Sequence, residues 1–359
     1  TRGEIQTQAD VLLCRNPPSQ HGKTTRGMTS GSTGSPIAFY GTELTQFFWR
    51  AFTLRDHLWH ERDFSGKLAS IRTDVEQHAT TGWGPATDTA FATGELATLN
   101  IRTDVDRQFA WLLQQAPHYV ISHPHNLREL ALRSIARKAG VPNLREARSF
   151  GAVLPADLRA VCREAWGVAL TDIYSAAEVG YIALQCPRRE HYHIQAENLI
   201  VEVLNDDGAP CAPGEVGRVV LTTLHNFAMP LVRYEIGDYA EVGSPCDCGR
   251  GLPVITRILG RDRNMLTLPD GTQHWPSFPA ELWAAVAPVR QFRLIQKSVD
   301  GIEAQFVADD DLGLAQRDQL IGLLQQSLGY PFNIELARVD AIGRSANYKF
   351  EDFISELRR

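Results

Sequence analysis

Apolar residues recur at helical spacing in several parts of the chain. Leu44–Leu58 carries a broad stripe through Phe47, Phe48, Phe52 and Leu58, and Val105–Gln115, Asn126–Gly140 and Ala156–Gly167 repeat that period. Gly140 is the expected C-cap of the third helix, with Pro142 just beyond it. Short apolar and β-branched runs at Tyr119–Ser122 and Leu170–Tyr174 predict strands that alternate with these helices, hence an α/β layer. Leu199–Leu204 and Gly217–Leu224 flank the turn-rich stretch NDDGAPCAPGEV and predict a hairpin inside an added β region. Further on, the pattern predicts a helix over Phe278–Val286 and strands at Phe292–Lys297 and Glu303–Ala308. An amphipathic helix follows at Leu314–Leu328, then a strand at Asn333–Val339 and a last helix over Tyr348–Leu357. That order suits a small α+β unit, with the boundary near Gly260–Asn264. The expected organisation is a large α/β domain over residues 1–262 and a smaller one over 263–359.

Length and composition narrow the picture. A chain of 359 residues exceeds what one core usually holds, which agrees with two units. A net charge of -6 argues against a general nucleic-acid binder, and no apolar run approaches a membrane span. The chain opens on Thr1 rather than Met, with no charged-then-apolar signal segment, and the sequence leaves open whether its start is natural or trimmed. Six cysteines in a chain this long read as thiols of a reducing compartment, with some available to a metal, so a cytoplasmic location is expected.

The candidate chemistry begins at TSGSTGSP. Thr29, Ser30, Ser32 and Thr33 offer hydroxyls, while Gly31 and Gly34 let backbone N–H groups approach an anion. No Lys-Ser/Thr pair follows the glycines, so this is not the P-loop of NTPases. Read alone, the segment is equally a Ser/Gly linker. Its companions decide: Tyr174-Ser-Ala-Ala-Glu178, then Val232-Arg-Tyr-Glu-Ile-Gly-Asp238, then Gly260-Arg-Asp262, and finally Arg344-Ser-Ala-Asn-Tyr-Lys-Phe350.

In this order the motifs resemble those of the adenylate-forming superfamily of acyl-CoA synthetases, peptide-synthetase adenylation domains and luciferases. The resemblance covers nearly the whole chain. MPLVRYEIGD, PCDCGRGLP and HYHIQAENLIVEV are similar to the phenylacetate–CoA ligase branch, which includes coenzyme F390 synthetases and CapK-like proteins. The family fold implies a large N-terminal domain and a small mobile C-terminal lid. The implied activity is activation of a carboxylic acid, an aromatic one in this branch, by ATP with Mg²⁺ to an acyl-adenylate. The acceptor stays open between CoA and an amine, a carrier-protein thiol or a downstream enzyme in antibiotic biosynthesis, for example of a phenazine. A degenerate binding homologue is the remaining alternative, and a homodimer is compatible with any of these.

Carried over residue by residue, the resemblance gives Thr29 to Gly34 the β- and γ-phosphates and Glu178 the Mg²⁺. It puts Ser149, Phe150 and Gly151 in the adenine pocket and Tyr174 near the adenine ring. Asp238 falls on the ribose diol, Arg261 on the ribose–phosphate side, and Lys349 on the α-phosphate and attacking carboxylate. Arg263 falls at the hinge. The chain departs from the pattern where Ala177 replaces a phosphate-contacting threonine, Ala152 an acid, and Tyr348 a glycine. Trp83, Phe39 and Phe91 are candidate acyl-pocket aromatics, though core packing explains each of them as well. Separately, Cys186, His193, Cys246 and Cys248 read as a closed Cys₃His set for a structural Zn²⁺, with His191 a rival to His193.

Overall fold

The computed structural model describes residues 1–29, 37–73, 75–279, 282–283, 285–343 and 350–357. Ser30 to Gly34 of the candidate phosphate loop and Lys349 therefore lie outside the described residues. The chain forms two compact units that divide between Leu259 and Gly260.

In the first unit the strands are β1 (Thr24–Met28), β2 (Ala38–Thr42), β3 (Leu68–Arg72), β4 (His78–Thr81), β5 (Glu95–Asn100), β6 (Tyr119–Ser122), β7 (Glu146–Phe150) and β8 (Ala169–Ala176). They continue as β9 (Gly180–Gln185), β10 (Tyr192–Ile194), β11 (Leu199–Leu204), β12 (Val216–Thr223), β13 (Tyr234–Val242) and β14 (Val254–Arg261). The helices are α1 (Arg2–Leu12), α2 (Glu43–Trp59), α3 (Val105–Gln115), α4 (Pro124–Arg137) and α5 (Leu158–Trp166).

β1 and β2 form an antiparallel hairpin. The other twelve strands form one sheet in the order β11-β12-β13-β14-β10-β9-β8-β7-β6-β3-β5-β4. Its β5-β3-β6-β7-β8 portion is parallel. The parallel part is covered by helices because its crossovers are helical, as in β6–α4–β7 and β7–α5–β8. Phe109, Leu112, Leu127, Leu130, Leu158 and Cys162 pack there against Ala69, Val120, Ala147 and Leu170. Each such apolar side chain removed from water contributes roughly 1.5–3 kcal/mol. From β9 onward the strands run antiparallel and build a second core around Ile182, Tyr192, Leu221, Tyr234 and Ile255.

The second unit holds β15 (Leu266–Thr267), β16 (Gln273–His274), β17 (Gln291–Ser298), β18 (Gly301–Val307), α6 (Leu314–Leu328), β19 (Asn333–Arg338) and β20 (Phe353–Ser355). Four of these strands form a sheet in the order β19-β18-β17-β20. Leu320, Leu324 and Leu328 of α6 share its core with Leu294, Ile302 and Phe306.

Two local expectations change. The third helix ends at Arg137, because Lys138 takes the left-handed conformation (φ 50°) and its N–H caps Ser134 and Ile135 carbonyls before Gly140 is reached. The last segment is a strand, not a helix. Phe350, Phe353, Ile354 and Leu357 have helical spacing, yet Phe353 pairs with Leu294 along the open edge of β17 and buries its ring in the core. Completing the sheet outweighs the local period there.

Candidate functional site

Among the described candidates of the first unit, Ser149, Phe150, Gly151, Tyr174 and Glu178 lie at the carboxyl ends of the parallel strands β7 and β8, where open α/β sheets bind ligands. Thr29 follows β1 and stands next to the glycine-rich segment. Its backbone N–H donates to the Ile37 carbonyl at 2.8 Å, and its Oγ1 accepts from Ile37 N–H at 2.9 Å. The segment thus leaves and returns through one clamped pair.

Ser149, Phe150 and Gly151 follow the β7 end. Ser149 is wholly buried and donates to Asp172 Oδ1 at 2.5 Å, so its hydroxyl braces β7 against β8. Phe150 offers its carbonyl to His123 Nδ1 at 3.0 Å, and Gly151 turns the chain at φ 80°. Asp172 also accepts from Tyr192 Oη at 2.8 Å. Burial pushes its carboxyl up to about 6, although the bonds from Ser149 and Tyr192 pull the other way.

Tyr174 and Glu178 flank the β8 end, and Tyr234 and Asp238 belong to β13. Tyr174 Oη donates to Asp238 Oδ2 at 2.9 Å, and Tyr234 Oη donates to Glu178 Oε1 at 3.1 Å. Glu178 lies in the turn that joins β8 to β9 and is buried. Asp238 is aimed by an irregularity in β13. The β12–β13 register slips between Arg218 and Val220, and Gly237 there adopts φ 86°, a conformation suited to glycine. Sequence reasoning quoted Tyr234 within its motif and assigned it no role. The signal available was its position four residues before Asp238, the spacing by which Tyr174 precedes Glu178.

Beneath this site lies a buried charge cluster that the sequence did not reveal. Arg62 donates to Asp56 at 2.8 Å and, through Nε and Nη2, to both oxygens of Glu146 at 2.7 Å. Arg148 donates to Asp56 at 2.5 Å, and Thr171 to Glu146 at 2.5 Å. Burial favours the neutral form of Asp56, but Arg62 and Arg148 outweigh it and hold the carboxyl far below its ordinary range. His57 is pushed down to about 2 by burial and by the two arginines.

A second cluster forms where the β9–β10 turn meets the β13–β14 connection. Cys186 N–H bonds the His191 carbonyl, which closes the turn, and His193 on β10 pairs with Val254 on β14. One ligand atom from each of Cys186, His191, His193 and Cys246 lies within 4.8 Å of every other. Cys186 Sγ is 4.0 Å from Cys246 Sγ, and Cys248 Sγ is 3.2 Å from His193 Nε2. A tetrahedral zinc–thiolate site has sulfur–sulfur edges of about 3.8 Å, so the donor set fits that ion. Among the described residues, His191 Nε2 is buried without a hydrogen-bond partner. Cys186, His193 and Cys246 share that group with His191, and Cys248 reaches it through His193.

Trp83 packs in the core, with Nε1 donating to the Gly66 carbonyl at 2.9 Å, and Phe91 stacks on Phe64. Arg261 ends β14 and takes the Asn264 side-chain oxygen on its N–H at 3.2 Å. Arg263 grips Glu351 with both arms, Nε at 3.0 Å and Nη2 at 2.9 Å.

No protein-family model matches the chain. It is 37% identical over 110 residues to the phenylacetate-coenzyme A ligase of Thermus thermophilus, covering 29% of this chain and 25% of that protein. It is 26% identical over 217 residues to an uncharacterized acyl-CoA ligase of Bacillus subtilis, covering 56% of this chain and 41% of that one. The chain therefore matches less than half the length of either relative. Among solved structures, a 2-hydroxyisobutyryl-CoA ligase in the postadenylation state aligns with TM-score 0.73 at 18% identity, over 99% of this chain and 79% of that one. An anthranilate CoA ligase in complex with anthranoyl-AMP aligns with TM-score 0.65 at 16% identity, over 91% of this chain and 65% of that one. The fold is that of these CoA ligases. Over the matched stretches the sequence is similar to phenylacetate-coenzyme A ligases.

Proposed function

We propose that the chain activates a carboxylic acid with ATP and passes the acyl group to coenzyme A. A carboxylate oxygen attacks the α-phosphorus and pyrophosphate leaves; the thiolate of CoA then attacks the acyl carbon and AMP leaves. The observation that carries this reading is the meeting of Tyr174 with Asp238 and of Tyr234 with Glu178 at the β8 end. A carboxylate accepts from both hydroxyls of a diol, which suits Asp238 to a ribose, and Glu178 supplies the hard oxygen that Mg²⁺ of the MgATP substrate prefers.

The segment Thr29 to Gly34 takes the β- and γ-phosphates, Phe150 and Gly151 border the adenine, and Arg261 serves the ribose–phosphate side. Ser149 acts one layer below, through Asp172. Lys349 stabilises the charge that develops at the α-phosphate. Ala177 offers no hydroxyl where relatives of this kind use a threonine, which predicts slow turnover rather than inactivity.

For the cysteine cluster we propose a structural zinc ion held by Cys186, His193 and Cys246, with Cys248 or His191 completing the shell. A full protein shell pins the two connections and leaves no open position for chemistry. A chain with these thiols suits the cytoplasm.

The test is exchange of labelled pyrophosphate into ATP across a panel of aryl and alkyl acids. Acid-dependent exchange is expected, with AMP released in quantity once CoA is added. Exchange without any CoA-dependent AMP release would move the acceptor to an amine or a carrier thiol. No exchange with any acid would leave a binding homologue.

A further inference from the structure

The two segments that meet at the β8 end have the same form. Tyr174-Ser-Ala-Ala-Glu178 and Tyr234-Glu-Ile-Gly-Asp238 each carry a tyrosine and, four residues on, an acid. The contacts between them are crossed: the first residue of each segment bonds the last residue of the other, at 2.9 and 3.1 Å. The two segments therefore oppose one another as antiparallel partners do, although β14, β10 and β9 separate β13 from β8 in the sheet order. Both tyrosine rings are anchored in one hydrophobic cluster, with Ile182, Tyr192 and Ile236. Both acids sit off the regular ladder, Glu178 in a turn and Asp238 beside Gly237 at φ 86°.

From this geometry we infer that Tyr174 and Tyr234 are reciprocal positioning residues: each hydroxyl orients the ligand-binding carboxylate of the opposite segment, Asp238 for the ribose and Glu178 for the nucleotide's divalent cation. The assignment rests on the nucleotide reading above and deepens it. A buried phenol needs a partner for its O–H, and a carboxylate gives it a strong, charge-assisted one. A carboxylate offers about four lone-pair positions, so it can take a bond from tyrosine and also meet a diol or a cation. An oriented carboxylate loses less side-chain entropy when the ligand arrives.

The experiment is calorimetric titration of the intact chain carrying Tyr174→Phe or Tyr234→Phe. It uses ATP and 3′-deoxy-ATP at fixed Mg²⁺, then Mg²⁺ at saturating ATP. Tyr174→Phe is expected to weaken ATP about tenfold, the scale of one hydrogen bond to a charged group, and 3′-deoxy-ATP much less, so that their affinity ratio narrows. Tyr234→Phe is expected to raise the half-saturating Mg²⁺ by a similar factor and leave that ratio in place. 4-Aminophenylalanine at either position keeps the ring and a donor, and should restore most of the lost binding. If a Phe variant unfolds, the 4-aminophenylalanine variant is compared directly with the wild type, with smaller shifts expected in the same pattern.

Unchanged constants with only a lower melting temperature would reduce the tyrosines to packing and overturn the assignment, as would interchanged effects. A wild type that binds MgATP yet shows no pyrophosphate exchange would sink the adenylation reading and leave the tyrosine assignment open to the same titrations. A wild type that does not bind ATP would overturn both.

Discussion

The first unit holds two groups of carboxylates, and they are built differently. Asp56 and Glu146 are held by the guanidinium groups of Arg62 and Arg148, so each negative charge meets a positive one inside the protein. Asp238 and Glu178 receive hydroxyl bonds from tyrosines, which are neutral donors. The first arrangement ties α2, the chain after it, β7 and β8 together, and its charges are spent on one another. In the proposed function the second meets a ligand. A buried acid thus becomes informative about function through its partners rather than its burial.

Mutations can break this contrast, and the largest effect should come from the charge cluster. Arg62→Met leaves Asp56 and Glu146 buried without their shared cation, and should destabilise the fold by about 3–5 kcal/mol in urea titrations. Near-neutral stability would mean that the network is dispensable. In the second group the roles reverse. Asp238→Asn should reduce pyrophosphate exchange by about a hundredfold, on the scale of losing a preorganised contact to the reacting nucleotide, while urea stability moves by less than about 1 kcal/mol. Equal losses of stability in both variants would erase the distinction.

The cysteine–histidine cluster is a third arrangement, and its effect should fall between these and the one that follows. Chelation should release about one zinc per chain and lower the melting temperature by several degrees, by mass action on the folded state. Cys186→Ser should remove both the metal and that response. The smallest effect belongs to Asp172, whose carboxyl sits at about 6, above the ordinary value of 3.8. The folded state holds this proton where the unfolded chain has released it, so stability should decline as pH rises from about 4 to 6. Asp172→Asn should flatten that decline, as read from melting temperature against pH.

Much of this was legible in the residue pattern. Val105–Gln115, Tyr119–Ser122 and Leu314–Leu328 stand where their spacing predicted them, because each buries one face and carries its own turn signals at the ends. The segment around Phe353 was misread because helical spacing cannot report an open sheet edge elsewhere in the chain. The acids and tyrosines of the candidate site were visible as motifs. Their crossed pairing was not, since it depends on a sheet that brings β13 near β8. The Asp56–Arg62–Glu146–Arg148 cluster left no local signal, because residues 84 and 92 positions apart in sequence meet only in the fold.

The most direct test of the central claim is pyrophosphate exchange by the wild type and Lys349→Ala, side by side, with the best acid of the panel. Acid-dependent exchange in the wild type and its near-complete loss in the variant are predicted, with ATP binding retained. Full exchange in the variant, or none in the wild type, would contradict carboxylate adenylation at this site.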